Sequence, residues 1–415
     1  CDRRQRQMCI RDRDSMKKYM VKVFKNLNKS LLIMSLIYAI GGALLILDAS
    51  LISSTLTYGY SNPYHFCIMQ LVFICVSLFA SYLIIKFFPS TSYWIVSIIL
   101  GGFLMILLFG TIGGNWIGNG VRAVTVNIGS FTLQPAEFLK IVIIMFMGAF
   151  YHYRSLKPKL KPLWWLGLIP SILIFCVVLF GGDYGTAAII AALTALIFIG
   201  IPSSKDEKVF RMMKKITAIS LILAVIVLKF GYLVIPEEKL QKDYRLNRLI
   251  YTNPCDRYEE NSGYQVCNGF IAIDNGGLKG VGLMNSVQKY LYLPESHTDF
   301  IFPIIVEELG AIVGVVIIVG YMYIIALIFR VSYKSYNLRN SIICYGVGLN
   351  LMLHIFVNLG GVLGVIPLTG VPLPFLSYGG SFCITTICSL ALVQRIHIEN
   401  MEEKKKREIN KIVNR

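Results

Sequence analysis

The sequence predicts an all-α polytopic membrane protein of about ten transmembrane helices. Both termini are expected on the cytoplasmic side, with a large extracellular loop between the seventh and eighth helices. Three observations carry this. The 415 residues are 55% hydrophobic and only 15% charged, with a mean hydropathy of +0.64, which excludes an ordinary soluble domain. Apolar runs long enough to cross a bilayer, which takes about 20 residues, recur along the chain. The Lys and Arg residues fall in short clusters between these runs, as orientation signals do. The net charge of +17 is therefore read as topology. No nucleic-acid motif supports the other reading.

Taken in order, residues 1–15 are polar, Arg-rich and aperiodic, and are expected to be a non-native leader, since Met16 followed by Lys17 and Lys18 looks like a natural start. Residues 16–30 then form a basic cytoplasmic N-terminus, 31–394 the membrane domain and 395–415 a basic cytoplasmic tail. Apolar runs lie at about 31–52, 64–86, 92–110, 137–152, 163–181, 184–201, 216–236, 300–329, 341–366 and 374–394. Basic clusters precede the first run (Lys17, Lys18, Lys22, Lys25, Lys29) and follow the fourth (Arg154, Lys157, Lys159, Lys161). Others follow the sixth (Lys205, Lys208, Arg211, Lys214, Lys215), the eighth (Arg330, Lys334, Arg339) and the tenth (Lys404 to Arg407). With ten helices, every cluster falls on one side.

The opposite side carries the unusual loops. Residues 111–136 are Gly-rich with one cation, Arg122. Residues 237–298 are of mixed charge and too long for a simple connection. Residues 367–378 are rich in Pro and Gly and carry no charge. Ionisable groups concentrated on the outer face predict that the chain works there. The ten cysteines show no metal-ligand spacing. Eight lie in the leader or the spans, where cysteine acts as a small apolar residue. Cys255 and Cys267 share the long loop, where a disulfide and two free thiols are both open.

The centre of the pattern is the stretch Tyr290 to Phe302, in which the polar residues Glu295 to Asp299 abut the apolar run continuing to Phe329. Thr298 or Asp299 could merely cap that helix. A cap does not account for a Glu-x-His-x-Asp cluster followed by Glu307 and Glu308 within the span, because acids at membrane depth are costly and usually functional. Gly276, Gly277, Gly280 and Gly282 permit either a flexible loop or close backbone approach. Arg245 and Arg248, three apart, could grip a diphosphate or snorkel at the interface. Glu137 and Lys140 share a helix face as an ion pair or part of a polar cavity. Asp183 reads as a turn former between two spans.

Four motifs in this order resemble the SEDS family (shape, elongation, division, sporulation), over the chain from first span to last. They are Leu133-Gln134-Pro135-Ala136-Glu137-Phe138; Gly276-Gly277 with Asn285-Ser286-Val287-Gln288-Lys289; Leu293-Pro294-Glu295-Ser296-His297-Thr298-Asp299-Phe300 with Glu307-Glu308-Leu309-Gly310; and Pro367 to Ser381, including Ser377. The Asn-Ser-Val-Gln-Lys form is most similar to the division-type members. The resemblance implies a ten-helix peptidoglycan glycosyltransferase in the bacterial cytoplasmic membrane, active on its outer face and at the septum. It would polymerise lipid II beside a class B penicillin-binding protein (a transpeptidase) and other division-machinery membrane proteins. Asp299 maps to the family's essential acid, and Arg122, Lys140 and Glu137 to its other functional residues. Arg245, Arg248, His297, Glu295, Gln288, Lys289 and Ser377 are the supporting candidates. No cofactor is certain; a divalent cation, Mg or Mn, is admitted. Arg122-Ala123-Val124 stands where the family usually has Arg-Arg-Trp, Ala136 for Ser or Thr, Gly182 for Pro and Pro303 for Ala; none removes a candidate catalytic group. The rival readings are a lipid II flippase, with Glu307 and Glu308 on its path, and a non-catalytic division scaffold.

Overall fold

The computed structural model describes residues 26–117, 126–128, 131–204, 207–230, 253–257 and 261–413. Among the described residues its regular structure is helical apart from one hairpin of three-residue strands, β1 (Val126–Ile128) and β2 (Phe131–Leu133), in which Val126 pairs with Leu133. The helices are α1 (Lys29–Leu56), α2 (His65–Phe87), α3 (Tyr93–Ile117), α4 (Pro135–Leu156), α5 (Ile169–Phe180), α6 (Tyr184–Gly200), α7 (Lys208–Phe230), α8 (Asn261–Gly276), α9 (Ile301–Tyr333), α10 (Leu338–Val362) and α11 (Gly380–Val413). Among the described residues, eight helical segments are long and apolar enough to cross a membrane: α1, α2, α4, α9, α10, α11, and α3 and α5 with their short 3-10 lead-ins. The sixth apolar run is the 17-residue α6. The seventh lies in α7, whose first two turns carry Lys208, Arg211, Lys214 and Lys215.

Helix α1 buries one stripe and shows an apolar stripe outward. In α1, Leu31, Tyr38, Ala39, Ala43 and Ile46 are buried, whereas Ile33, Ile37, Ile40 and Leu44 are exposed. Such continuous apolar surface on a folded chain marks contact with lipid. One end of the bundle holds Lys29, Arg154, Lys208 and Arg339 of the basic clusters and is tied by polar bonds. Asn28 and Gln394 exchange two hydrogen bonds between the start of α1 and α11. Glu399 of α11 accepts from Ser90 before α3 and from Asn340 of α10. Arg154 at the end of α4 pairs with Glu207 just before α7.

At the opposite end the long connection after α7 is not a loop throughout. It contains α8, which packs on α9, and Cys255 and Cys267 are joined in a disulfide. Helix α9 is broken at Gly310, where φ is 87° and ψ 163°. The residues after α8 fill that break. Ala311 and Ile312 donate their N–H groups to the carbonyls of Gly277 and Leu278, and Val281 and Gly282 donate to the carbonyls of Glu307 and Glu308. Four backbone groups freed by the kink are thus re-satisfied, as they must be where water cannot serve them. Two of the glycines are there for proximity: a Cβ on Gly276 would lie 2.1 Å from the Val306 carbonyl oxygen, and one on Gly280 2.1 Å from the Glu308 carbonyl oxygen. Gly277 has nothing within 4 Å and serves the turn through its φ of 49°.

Gly310→Ala should be strongly destabilising. Its backbone occupies a region that only glycine adopts without strain, a cost of about 1–3 kcal/mol. The new Cβ would also meet the Leu278 carbonyl oxygen at 2.3 Å. Gly41→Ala, with nothing within 4 Å of the added carbon, is the control and should change stability by less than about 1 kcal/mol. Thermal unfolding of the detergent-purified variants measures both, and equal melting would contradict the inserted loop.

Candidate active site

Asp299 ends a tight turn that delivers the chain into α9. The N-cap of α9 is Phe300, and no side chain caps that end. Neither Thr298 nor Asp299 therefore serves as the cap that local sequence allowed. The Asp299 side chain is only 9% exposed. Thr298 Oγ1 lies 2.7 Å from Glu295 Oε2, 3.1 Å from the Glu295 carbonyl and 3.1 Å from Asp299 Oδ1, so one hydroxyl proton is shared among three acceptors. Glu295 itself is exposed.

The uncharged stretch 367–378 folds against this turn. Tyr378 N–H donates to the His297 carbonyl at 2.9 Å. Ser377 shapes the stretch from within: its Oγ accepts from Leu373 N at 2.8 Å, and its N–H donates back to the Leu373 carbonyl at 3.0 Å. Gly370 sits beside the acid, since a Cβ there would be 3.6 Å from Asp299 Oδ2. Gly370 is exposed, which puts the carboxylate at the lip of the bundle. Asn358 of α10 links both segments, its Nδ2 donating to the carbonyls of Asp299 and Val371 at 2.8 Å each.

One helical turn away on α10, His354 meets the second predicted pair. Lys140 Nζ lies 2.7 Å from Glu137 Oε1 and 2.7 Å from His354 Nε2, with all three buried. Lysine has only donors, so Nε2 accepts here. The four-residue spacing of His354 and Asn358 places both on one face of α10, about 6 Å apart along the axis. Sequence reasoning missed them and also Asp48. Polar residues four apart within an otherwise apolar run were the signal available. Asp183 caps α6 through Thr186 N at 3.0 Å, as a turn former does, and also accepts from Gln134 at 2.8 Å.

Gln288 and Lys289, candidates for substrate contact, lie elsewhere. Lys289 Nζ is buried between Asp48 Oδ1 of α1 at 2.6 Å and Glu308 Oε1 at 2.7 Å. Burial alone would lower the Lys289 pKa, but the two carboxylates outweigh it and raise it, so the ammonium is held charged. Glu307 accepts from the Ser286 hydroxyl, from Val287 N at 3.3 Å, from Gln288 N at 3.4 Å and from Asn275 Nδ2 at 3.3 Å. These two glutamates fasten the loop to the break in α9.

His297 is 2% exposed and lies among aromatic rings: Phe66 at 4.4 Å, Tyr58 at 5.8 Å and Tyr378 at 5.9 Å between centroids. Its Nδ1 is buried without a hydrogen-bond partner among the described residues. Burial pushes its pKa down to about 4, so the ring is neutral near pH 7. It packs the turn; no hydrogen bond carries it to Asp299. Arg122, Arg245 and Arg248 lie outside the described residues. Among the described residues no three His, Cys, Asp or Glu side chains gather as a metal site.

Residues 28–402 match the family model FTSW_RODA_SPOVE, described as a cell cycle protein. A relative from Bacillus subtilis (strain 168), described as a probable peptidoglycan glycosyltransferase FtsW, is 30% identical over 93% of this chain and 95% of its own length. One of the same description from Coxiella burnetii (strain RSA 493 / Nine Mile phase I) is 33% identical over 86% of this chain and 92% of its own. Among solved structures, one described as "Structural coordination of polymerization and crosslinking by a peptidoglycan synthase complex" superposes with a TM-score of 0.65, at 19% identity, over 90% of this chain and 98% of that chain. The crystal structure of the Thermus thermophilus rod shape determining protein RodA gives 0.60 at 20% identity, over 90% and 97%.

The pH dependence of stability should report on His297. Its folded pKa of about 4 lies below the ordinary 6.5. Between those values the unfolded chain takes up a proton that the folded chain refuses, so stability is full above about pH 6.5 and falls on acidification towards pH 4, by about 3 kcal/mol. His297→Phe keeps the ring and removes the proton. Unfolding of both proteins across that range should show a shallower slope for the variant; identical slopes would refute the buried neutral imidazole.

Proposed function

The chain belongs to the FtsW, RodA and SpoVE family of cell cycle proteins, the SEDS family of the sequence resemblance, and from that premise we propose that it polymerises lipid II into glycan strands. It is a multi-pass membrane protein and a peptidoglycan glycosyltransferase. The reaction belongs on the outer leaflet, at the end of the bundle away from the basic clusters, and the division-type motifs favour the septum.

One observation supports Asp299 as the reacting group: it is a buried acid that caps nothing, gripped by its main-chain carbonyl. Its carboxylate is the general base. It takes the proton from the acceptor sugar's 4-hydroxyl as that oxygen attacks the anomeric carbon of the donor muramyl diphosphate. The glycosidic bond forms with inversion as the bond to the diphosphate breaks, and undecaprenyl diphosphate leaves. A diphosphate needs no strong acid to depart, only positive charge near its oxygens. Arg122, Arg245 and Arg248 are the candidates for that role. Lys140, locked with Glu137 and His354, supports the floor one turn deeper. A class B penicillin-binding protein is the proposed partner, by analogy with the synthase complex that shares the fold. Against a flippase, Glu307 and Glu308 are engaged in fixing the loop, which leaves no reason to assign them to a translocation path.

Asp299→Asn keeps size and main-chain bonding but cannot accept the proton. Polymer formed from lipid II by purified variant and partner should fall roughly 10²–10⁴-fold, the range for a lost general base, with melting temperature and partner binding preserved. Near-normal polymer would leave the chemistry without its base. Orientation is tested separately. With native thiols replaced, a cysteine at Leu283, 63% exposed, should react with an impermeant reagent added outside cells. One at Tyr333, 91% exposed, should be shielded until the membrane is breached. The reverse pattern would move the site to the wrong face.

A further inference from the structure

Asn358 is 3% exposed, and its two hydrogen bonds bind two segments distant in the chain. Asp299 closes the turn before α9, and Val371 lies in the uncharged stretch after α10. Both acceptors are carbonyls, so the amide nitrogen must face them, and its two N–H groups are the least that can serve both. Oδ1 is buried with no hydrogen-bond partner among the described residues. A buried acceptor left unmade is unfavourable, so the side chain is not there for its oxygen. Its function is the double donation.

The clamp has a consequence for the acid. Val371 carries with it its neighbour Gly370, the residue flanking Asp299 Oδ2. Holding the Asp299 and Val371 carbonyls on one amide therefore fixes the carboxylate against the Gly370–Val371 backbone. The same face of α10 holds Lys140 through His354, so the depth of the acid relative to the Glu137–Lys140 pair is set by one rigid helix. We propose that Asn358 is a positioning residue, which registers the base of this glycosyl transfer against the stretch that walls its site. The assignment rests on Asp299 being the base. It acts through Asp299, not on substrate. Misplacing a reacting group by about 1 Å can cost on the order of 10²-fold in rate.

The experiment uses the full chain with its partner. Asn358→Ala, Asn358→Gln and Asn358→Asp are assayed for lipid II polymerisation and for amide exchange in peptides spanning 294–300 and 367–378. Asn358→Ala should lower kcat at least tenfold with KM within about twofold, and both peptides should exchange faster. Asn358→Asp, which turns an anionic oxygen on two carbonyls, should be worse at pH 7. Asn358→Gln keeps both N–H groups on a longer arm. It should fold even if the Ala variant does not, and still lose kcat without KM. Unchanged kcat in Asn358→Ala overturns the proposal, as does a joint loss of kcat and KM with both peptides still protected. If instead Asp299→Asn polymerised normally while Asn358→Ala still freed both peptides, the base reading would fail and the clamp would stand.

Discussion

The constraint on which the outer end of this protein depends is that a helix broken at membrane depth must have its backbone groups paired again. Gly310 interrupts α9 three residues after Glu307, and the interruption strands two carbonyls and two N–H groups. Each would cost several kcal/mol in hydrocarbon if left bare. The segment 277–282 enters the gap and pairs all four. The Ser286 to Lys289 stretch is anchored on Glu307 and Glu308, and the turn to Asp299 starts from there.

The acids divide by what holds them. Glu308 and Asp48 share one ammonium, Lys289, with Ser286 N completing the Glu308 shell. Buried pairs of this kind are weak evidence for stability, because desolvation offsets much of the attraction. Removing one member is strongly destabilising all the same, so the cluster works as a register pin between α1, the loop and α9. Glu137 with Lys140 and His354 is a second pin, between α4 and α10. Asp299 differs because its main chain is the handle. Its main-chain carbonyl is held by Asn358, while its carboxylate accepts from the Thr298 hydroxyl at 3.1 Å.

Much of this could be read in the sequence. The apolar runs foretold an all-helical membrane fold, because hydrocarbon thickness acts on composition alone; of the ten runs, eight correspond to helical segments long and apolar enough to span among the described residues. The Leu293 to Phe300 motif marked the acid. Other features needed coordinates. The same glycines suit a mobile loop or a close approach, and only the Glu308 carbonyl at 2.1 Å from a notional Cβ on Gly280 decides between them. Asp48 sits in the first apolar run with no neighbour in sequence to suggest its partner Lys289, which lies 241 positions away. Helix α8 was hidden by the mixed charge of the stretch around it. Lys289 looked like a substrate contact because it stands in a motif, and a motif records constraint without saying whether packing or chemistry imposes it.

That ambiguity points to a way of separating the two kinds of constraint here. A residue kept for packing has its charged or polar atoms matched by partners inside the fold, as Lys289, Glu307 and Glu308 do. A residue kept for chemistry must be held by something other than the atoms that react, or binding substrate would require breaking the bonds that place it. Main-chain attachment satisfies that condition. It explains why the site is built from the turn before α9, the uncharged stretch after α10 and a single amide between them, all close to the lip where Gly370 is exposed. The absence of any charge in 367–378 then has a physical reason. That stretch borders Asp299 through Gly370. A cation there would hold the carboxylate in an ion pair and weaken it as a base, and an anion would favour its protonated form. The Gly370 side of the acid is therefore neutral backbone, which adds no charge of its own there.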